Sequence, residues 1–206
     1  DAKWPFSSYA SLLLQFEQIT DKIQDEEVTY EHSLGVADYA EAVGRRMMPD
    51  LIVDEQERFP EEYNGIMDDP KKVRRKIVAT IVKTALFHDL GKIWIRNCIL
   101  SKPGRLDVDE TKEMRRHSIF SRIMLSAFLP GGERIGKLAS MHHEKLNGLG
   151  FPQKLNADNI PLLVQIVTVC DIFHALVAAR PYKEPMDKVR AFGILDAAAK
   201  ANEVNA

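Results

Sequence analysis

The chain has 206 residues, 45% of them hydrophobic and 28% charged, with a formal net charge of −2. That balance suits one globular domain with a sizeable core and supplies no basic field of the kind that holds nucleic acid by general electrostatics. No apolar run approaches the roughly 20 residues that cross a bilayer, and no signal-peptide pattern opens the chain.

The opening "DAKWPFSS" lacks an initiating Met and reads as a fragment, which leaves room for an upstream sensor or receiver domain. "YASLLLQFEQITDKI" then sets Leu12, Leu13, Phe16, Ile19 and Ile23 on one stripe and predicts an N-terminal helix within residues 1–24. "HSLGVADYAEAVGRRMM" repeats the helical period with Leu34, Val36, Tyr39, Ala40 and Val43. Residues 49–72, rich in charge, Pro, Asn and Gly, read as an irregular or partly helical insertion, expected to cover part of a cleft. "VRRKIVATIVKTALFHDLG" is apolar around most of its circumference and predicts a central buried helix with its stop at Gly91. Asp107 or Asp109 is the expected N-cap of a helix through "ETKEMRRHSIFSRIMLSAF". Helices are also expected over "RIGKLASMHHEKL", "PLLVQIVTVCDIFHALVAA" and "MDKVRAFGILDAAAKA". The β-branched run "VQIVTV" continues its apolar pattern into "CDIFHAL", which favours helix over strand. Cys98 and Cys170 are far apart and form no CxxC pair, so they read as small buried apolar residues of a reducing compartment, not zinc ligands. The expected fold is all-α, a single helical domain.

Polar anomalies sit inside these apolar segments. His88 and Asp89 end the most hydrophobic helix, and Asp171 interrupts "IVTVCDIFHAL". Ionisable groups there cost several kcal/mol unless paired or metal-bound, on the order given for buried charges. His32, His117, His142 and His143 bring the histidines in motif contexts to five. Imidazoles and carboxylates suit divalent Mn, Fe, Co, Ni or Zn. Five histidines with two aspartates suit two ions better than one, with Asp89 able to give one oxygen to each; such a pair activates water toward a phosphodiester. Lys92, three residues after Asp89, either neutralises a phosphate oxygen or is a solvated lysine at a helix end.

In order along the chain, "TYEHS" (29–33), "LFHDLGKI" (86–93), "ILSKPGRL" (99–106), "RRHS" around His117, "HHEKLNGLGFP" and "IPLLVQIVTVCDIFHALVAARPYK" resemble the HD-GYP family, the HD-superfamily phosphodiesterases that cleave cyclic dinucleotides. The resemblance covers roughly residues 25–190. It implies an HD-domain helical bundle around a metal site, with His32, His88, Asp89, His117, His142, His143 and Asp171 as metal ligands. It also implies that Lys92 binds the scissile phosphate and that Arg180 and Lys183 of "RPYK" hold the ligand's phosphates or a guanine edge, the alternative for these two being solvated turn cations. The family further implies a cytoplasmic bacterial signalling enzyme, with "GLGFP" as a signature loop that contacts a partner such as a diguanylate cyclase.

Departures from the family pattern bear on function. Phe151 replaces the signature tyrosine and Asn147 an aspartate. Val28 stands where three-metal members carry a glutamate, so two ions are expected. Gly35 stands where arginine is common, and His174 replaces an acidic residue and reads as structural. Glu144 reads either as a partner orienting an imidazole or as a surface glutamate. The expected activity is hydrolysis of cyclic di-GMP to the linear dinucleotide and then GMP, with two divalent ions, Fe or Mn before Ni, Co or Zn. The alternatives are a module that binds a cyclic dinucleotide or a signalling partner with weak turnover, and a phosphodiesterase for another cyclic dinucleotide.

Overall fold

A computed structural model describes residues 26–179 and 184–205, with side chains from residue 30 onward. The expected N-terminal helix and the "RPYK" cations lie outside the described residues. The first described helix, α1 (Glu26–Arg46), carries the "HSLGVADYA" stripe, and only Met47 separates it from α2 (Met48–Arg58). A 3-10 turn, Pro60–Tyr63, follows. The central helix α3 (Pro70–Phe87) starts sharply, because the Asp69 carboxylate accepts from the Lys71 and Lys72 amides and Pro70 needs no amide partner at the first position. It ends four residues before Gly91, which lies inside the 3-10 turn Leu90–Trp94.

After the short α4 (Asn97–Leu100), Asp107 and Glu110 form a capping box at the head of α5 (Val108–Arg115). The helix expected to run on from α5 is broken at Arg116, and α6 (His117–Phe128) begins at the histidine itself. α7 (Gly132–Ala139) is shorter than its periodicity suggested, so the His142–His143 doublet falls in the turn beyond its end. α8 (Leu162–Val177) is helical through "VQIVTV", and α9 (Lys188–Lys200), capped by Asp187, packs on it. Among the described residues there are no named strands, only an isolated bridge between Asn147 and Asn156.

α1 packs on α3 and α8, α6 packs on α7 and on the 3-10 turn after α3, and α3 touches α7 and α8. Val36, Ala37 and Ala40 of α1, Ile77, Ile81 and Ala85 of α3, and Leu163, Val164 and Val167 of α8 are buried together in this core. Cys170 is buried as expected, whereas Cys98 is exposed; both thiols are free. No described helix is long and apolar enough to cross a membrane.

Residues 49–72 do not cover the cleft. Asp54 accepts from the Leu162 amide (2.9 Å), Arg58 donates to the Asp158 carbonyl (2.7 Å), and the fully buried Glu55 accepts from Tyr63 Oη (2.5 Å) and from Arg134 at the start of α7. Leu162 precedes Asp171 by nine residues; at roughly 1.5 Å per residue this anchor sits about 13 Å along α8 from that aspartate. The insertion is bolted to the opposite end of the bundle.

Candidate metal centre

Three histidines are aimed by the backbone just before them. His88 Nδ1 lies 2.7 Å from the Ala85 carbonyl, His117 Nδ1 2.6 Å from that of Met114, and His142 Nδ1 2.7 Å from that of Ala139. A carbonyl only accepts, so each Nδ1 carries a proton and each Nε2 is directed into the bundle, where it can serve a cation once any proton on it has left. The turn after α7 also lets two consecutive residues serve one site: the His142 and His143 rings lie 3.9 Å apart, which successive positions on a helix, about 100° apart, would not permit.

Among the described residues, His32, His88 and Asp171 offer ligand atoms within 4.8 Å of one another, so do His117, His142 and His143, and a third group of His88, Asp89 and His142 joins these two clusters. Asp89 stands between them. Its Oδ2 is 3.2 Å from His88 Nε2, while its Oδ1 is 3.3 Å from His117 Nε2 and 3.7 Å from His142 Nε2. Lys92 Nζ is 2.6 Å from Asp89 Oδ2 and remains about one third exposed (31%). Asp171, with 15% of its side chain exposed, and the half-buried His143 share the open side with Lys92.

Several groups carry the mark of this crowding. Burial opposes charge on Asp89, yet the Lys92 ammonium and His88 hold its carboxyl well below the ordinary range. Burial likewise opposes charge on Asp171, and the hydrogen bond from His32 with the nearby His88 lowers it. Burial would push the His88 imidazole down, but the Asp89 and Asp171 carboxylates reverse this and carry it up to about 9. His143 is pushed down to about 4 by burial and the facing His117, and burial lowers His117 and His142 as well.

A divalent cation fits these donors. His88 Nε2 and Asp89 Oδ1 are buried without a hydrogen bond of proper geometry, an arrangement that costs on the order of 1–3 kcal/mol per group unless something else satisfies it. The donor set of imidazole and carboxylate matches Fe, Mn, Co, Ni or Zn.

The surrounding contacts include several that sequence reasoning missed. Ser121 Oγ lies 2.9 Å from the His88 carbonyl and receives the Gly91 amide at 2.7 Å, pinning the "HDLG" turn to α6. Its signal was a serine one helical turn after His117. A Cβ at Gly91 would meet the His117 carbonyl at 2.0 Å and the Ser121 amide at 2.4 Å, so only glycine lets the turn lie that close. Thr168 Oγ1 is 3.0 Å from the His142 carbonyl. Glu144 neither orients an imidazole nor sits on the surface: it is buried and accepts from the Gln153 (2.6 Å) and Leu155 (2.9 Å) amides, tying down the "GLGFP" loop. Within that loop Asn147 Oδ1 accepts from the Leu149 amide (3.0 Å). The Phe151 ring packs 4.6 Å from the His143 ring, and the Arg115 guanidinium lies 5.0 Å from the Phe151 centroid.

All-helical packing around a histidine–aspartate cluster at the ends of several helices defines a class of metal-binding bundles. A family model described as "HD domain" matches residues 46–204, and the chain belongs to that family. Similar proteins include the 3'3'-cGAMP-specific phosphodiesterase 3 of Vibrio cholerae serotype O1, 40% identical over 55% of this chain and 25% of its own length. Another is the cyclic di-GMP phosphodiesterase response regulator RpfG of Xanthomonas campestris pv. campestris, 39% identical over 58% of this chain and 32% of its own. The cyclic di-GMP phosphodiesterase PA4108 of Pseudomonas aeruginosa is 30% identical over 77% of this chain and 33% of its own. The chain thus spans a quarter to a third of the length of these curated relatives. They are consistent with the HD-GYP resemblance read from the sequence motifs.

Proposed function

We propose that this chain is a metal-dependent phosphodiesterase that opens a cyclic dinucleotide, cyclic di-GMP in the first instance, to its linear form and then to GMP. Two divalent ions, Fe or Mn, would be held by His32, His88 and Asp171 on one side and by His117, His142 and His143 on the other. The observation that carries this reading is Asp89, whose two oxygens face different clusters across its carboxylate. Bound ions would polarise the phosphoryl oxygens and activate water. Lys92, exposed on the open side and next to Asp89, is placed to take a phosphate oxygen and offset the charge that builds during displacement. Arg180 and Lys183 are proposed to hold the ligand's phosphates or a guanine edge. The loop tip, where Leu149 is 78% exposed, is offered as the face for a signalling partner such as a diguanylate cyclase.

The test is turnover of cyclic di-GMP by protein prepared without oxygen, with bound metal counted in the same sample. Linear product at about two ions per chain, abolished in Asp89→Ala, supports the reading. Full metal-dependent turnover by Asp89→Ala refutes it. A relative named for 3'3'-cGAMP favours a second substrate, and competition between the two dinucleotides under one metal condition separates them.

A further inference from the structure

His174 lies one turn beyond Asp171 on α8, and Gly35 one turn beyond His32 on α1. The two helices therefore face each other through two successive rungs. In the first, His32 Nε2 meets Asp171 Oδ1 at 2.9 Å. In the second, the His174 ring enters the space over Gly35 and turns back, bringing its Nδ1 to 2.8 Å from His32 Nδ1. A Cβ on residue 35 would lie 2.1 Å from His174 Nε2 and 2.5 Å from its Cδ2. No side chain at position 35 is compatible with this ring placement. His88, His117 and His142 take their orientation from a carbonyl three residues back; the His32 Nδ1 contact is instead with another imidazole, on a different helix.

We propose that His174 is a positioning residue that holds the His32 imidazole for cation binding, and that glycine at position 35 makes the room for it. The inference rests on the metal reading of the centre. An imidazole suits the task because Nδ1 either donates or accepts. Without a cation, His32 Nε2–H donates to Asp171 and its Nδ1 accepts from His174 Nδ1–H. When a cation takes the Nε2 lone pair, the one proton of His32 resides on Nδ1, and His174 accepts it while its own proton moves to Nε2. Each ring keeps one proton throughout, so the exchange of tautomers changes no charge.

The test titrates metal-free protein with Mn(II) and reads ions bound per chain and their affinities. His174→Ala should weaken one of the ions about 10- to 100-fold, the usual effect of removing a group that orients a ligand. His174→Asn, whose amide oxygen stands as many bonds from the backbone as Nδ1, should recover all but about threefold of that loss. Gly35→Ala, a favourable change for a helix, should weaken the same ion by displacing His174. Gly35→Ala combined with His174→Ala should bind like His174→Ala alone to within about twofold, because the clash has gone. Unchanged affinity in His174→Ala, no recovery in His174→Asn, or full additivity of the two alanine changes each overturns the proposal. Wild-type protein that binds two Mn(II) ions but turns over no dinucleotide refutes the phosphodiesterase reading and leaves the positioning role to be decided by these affinities. Wild-type protein that binds no Mn(II) refutes both.

Discussion

The Lys92 ammonium lies 2.6 Å from Asp89 Oδ2, so the carboxylate that faces both clusters is also paired with a cation at their open side. Lys92 is therefore in position to be handed from Asp89 to a phosphate. Lys92→Met should leave the number of bound ions unchanged and lower turnover about 10²- to 10³-fold, the scale seen when one stabilising donor is removed from a developing oxyanion. Elemental analysis alongside kcat checks both halves; loss of metal in this variant would make Lys92 a structural partner of Asp89.

The ion-free protein should have a lopsided pH–stability profile. His117, His142 and His143 are lowered, His143 to about 4, so below about pH 6.5 the unfolded chain binds protons that the fold refuses. Stability falls as pH falls through that range. His88 runs the other way: raised to about 9, it contributes stability that is complete below about pH 6.5 and lost as pH rises through about 9. With three imidazoles on the acid limb, joined below about pH 4 by the lowered Asp89 and Asp171 carboxyls, against His88 alone on the alkaline limb, the maximum is expected near about pH 6.5–7 and the acid side is steeper. Urea midpoints of chelator-treated protein across this range test the shape. Because a cation on His88 Nε2 must displace its proton, metal loading should strengthen toward alkaline pH.

Glu144 anchors the loop that backs His143. Glu144→Ala would leave the Gln153 and Leu155 amides unpartnered and should cost about 2–4 kcal/mol, whereas Glu144→Gln keeps one acceptor and should cost about half of that. The same order should appear in metal affinity, since the loop carries Phe151 against the His143 ring. Denaturant unfolding with and without Mn(II) reads both effects.

Arg134→Ala strands the fully buried Glu55 carboxylate and should destabilise the fold by about 3–5 kcal/mol. Because this ion pair sits at the far end of the bundle, the number of bound ions and the affinity for Mn(II) should hold at temperatures where the variant remains folded. A parallel loss of metal would show that the insertion and the centre are coupled.

The helical elements were legible because apolar residues recur at the helical period, and the centre because His88, Asp89 and Asp171 interrupt strongly apolar segments. What the pattern could not supply was where helices stop for steric or capping reasons. The break at Arg116 and the early end of α7 both leave the apolar period intact, yet they decide which way His117, His142 and His143 point. Partners drawn from distant segments were equally hidden: the Glu55–Arg134 pair spans 79 residues and the His32–His174 contact 142. The insertion was misread for that reason, since charge and proline content say nothing about which end of a bundle a segment meets.

The contact at Gly91 sets a mechanical limit on the centre. The turn that carries His88 and Asp89 rests backbone to backbone on α6, so the distance from these two residues to His117 is set by main-chain contact and not by side-chain packing. Rotamer changes could retune how a cation would be gripped within either cluster, but they would not widen the span, and any substitution at position 91 would shift His88 and Asp89 together against His117.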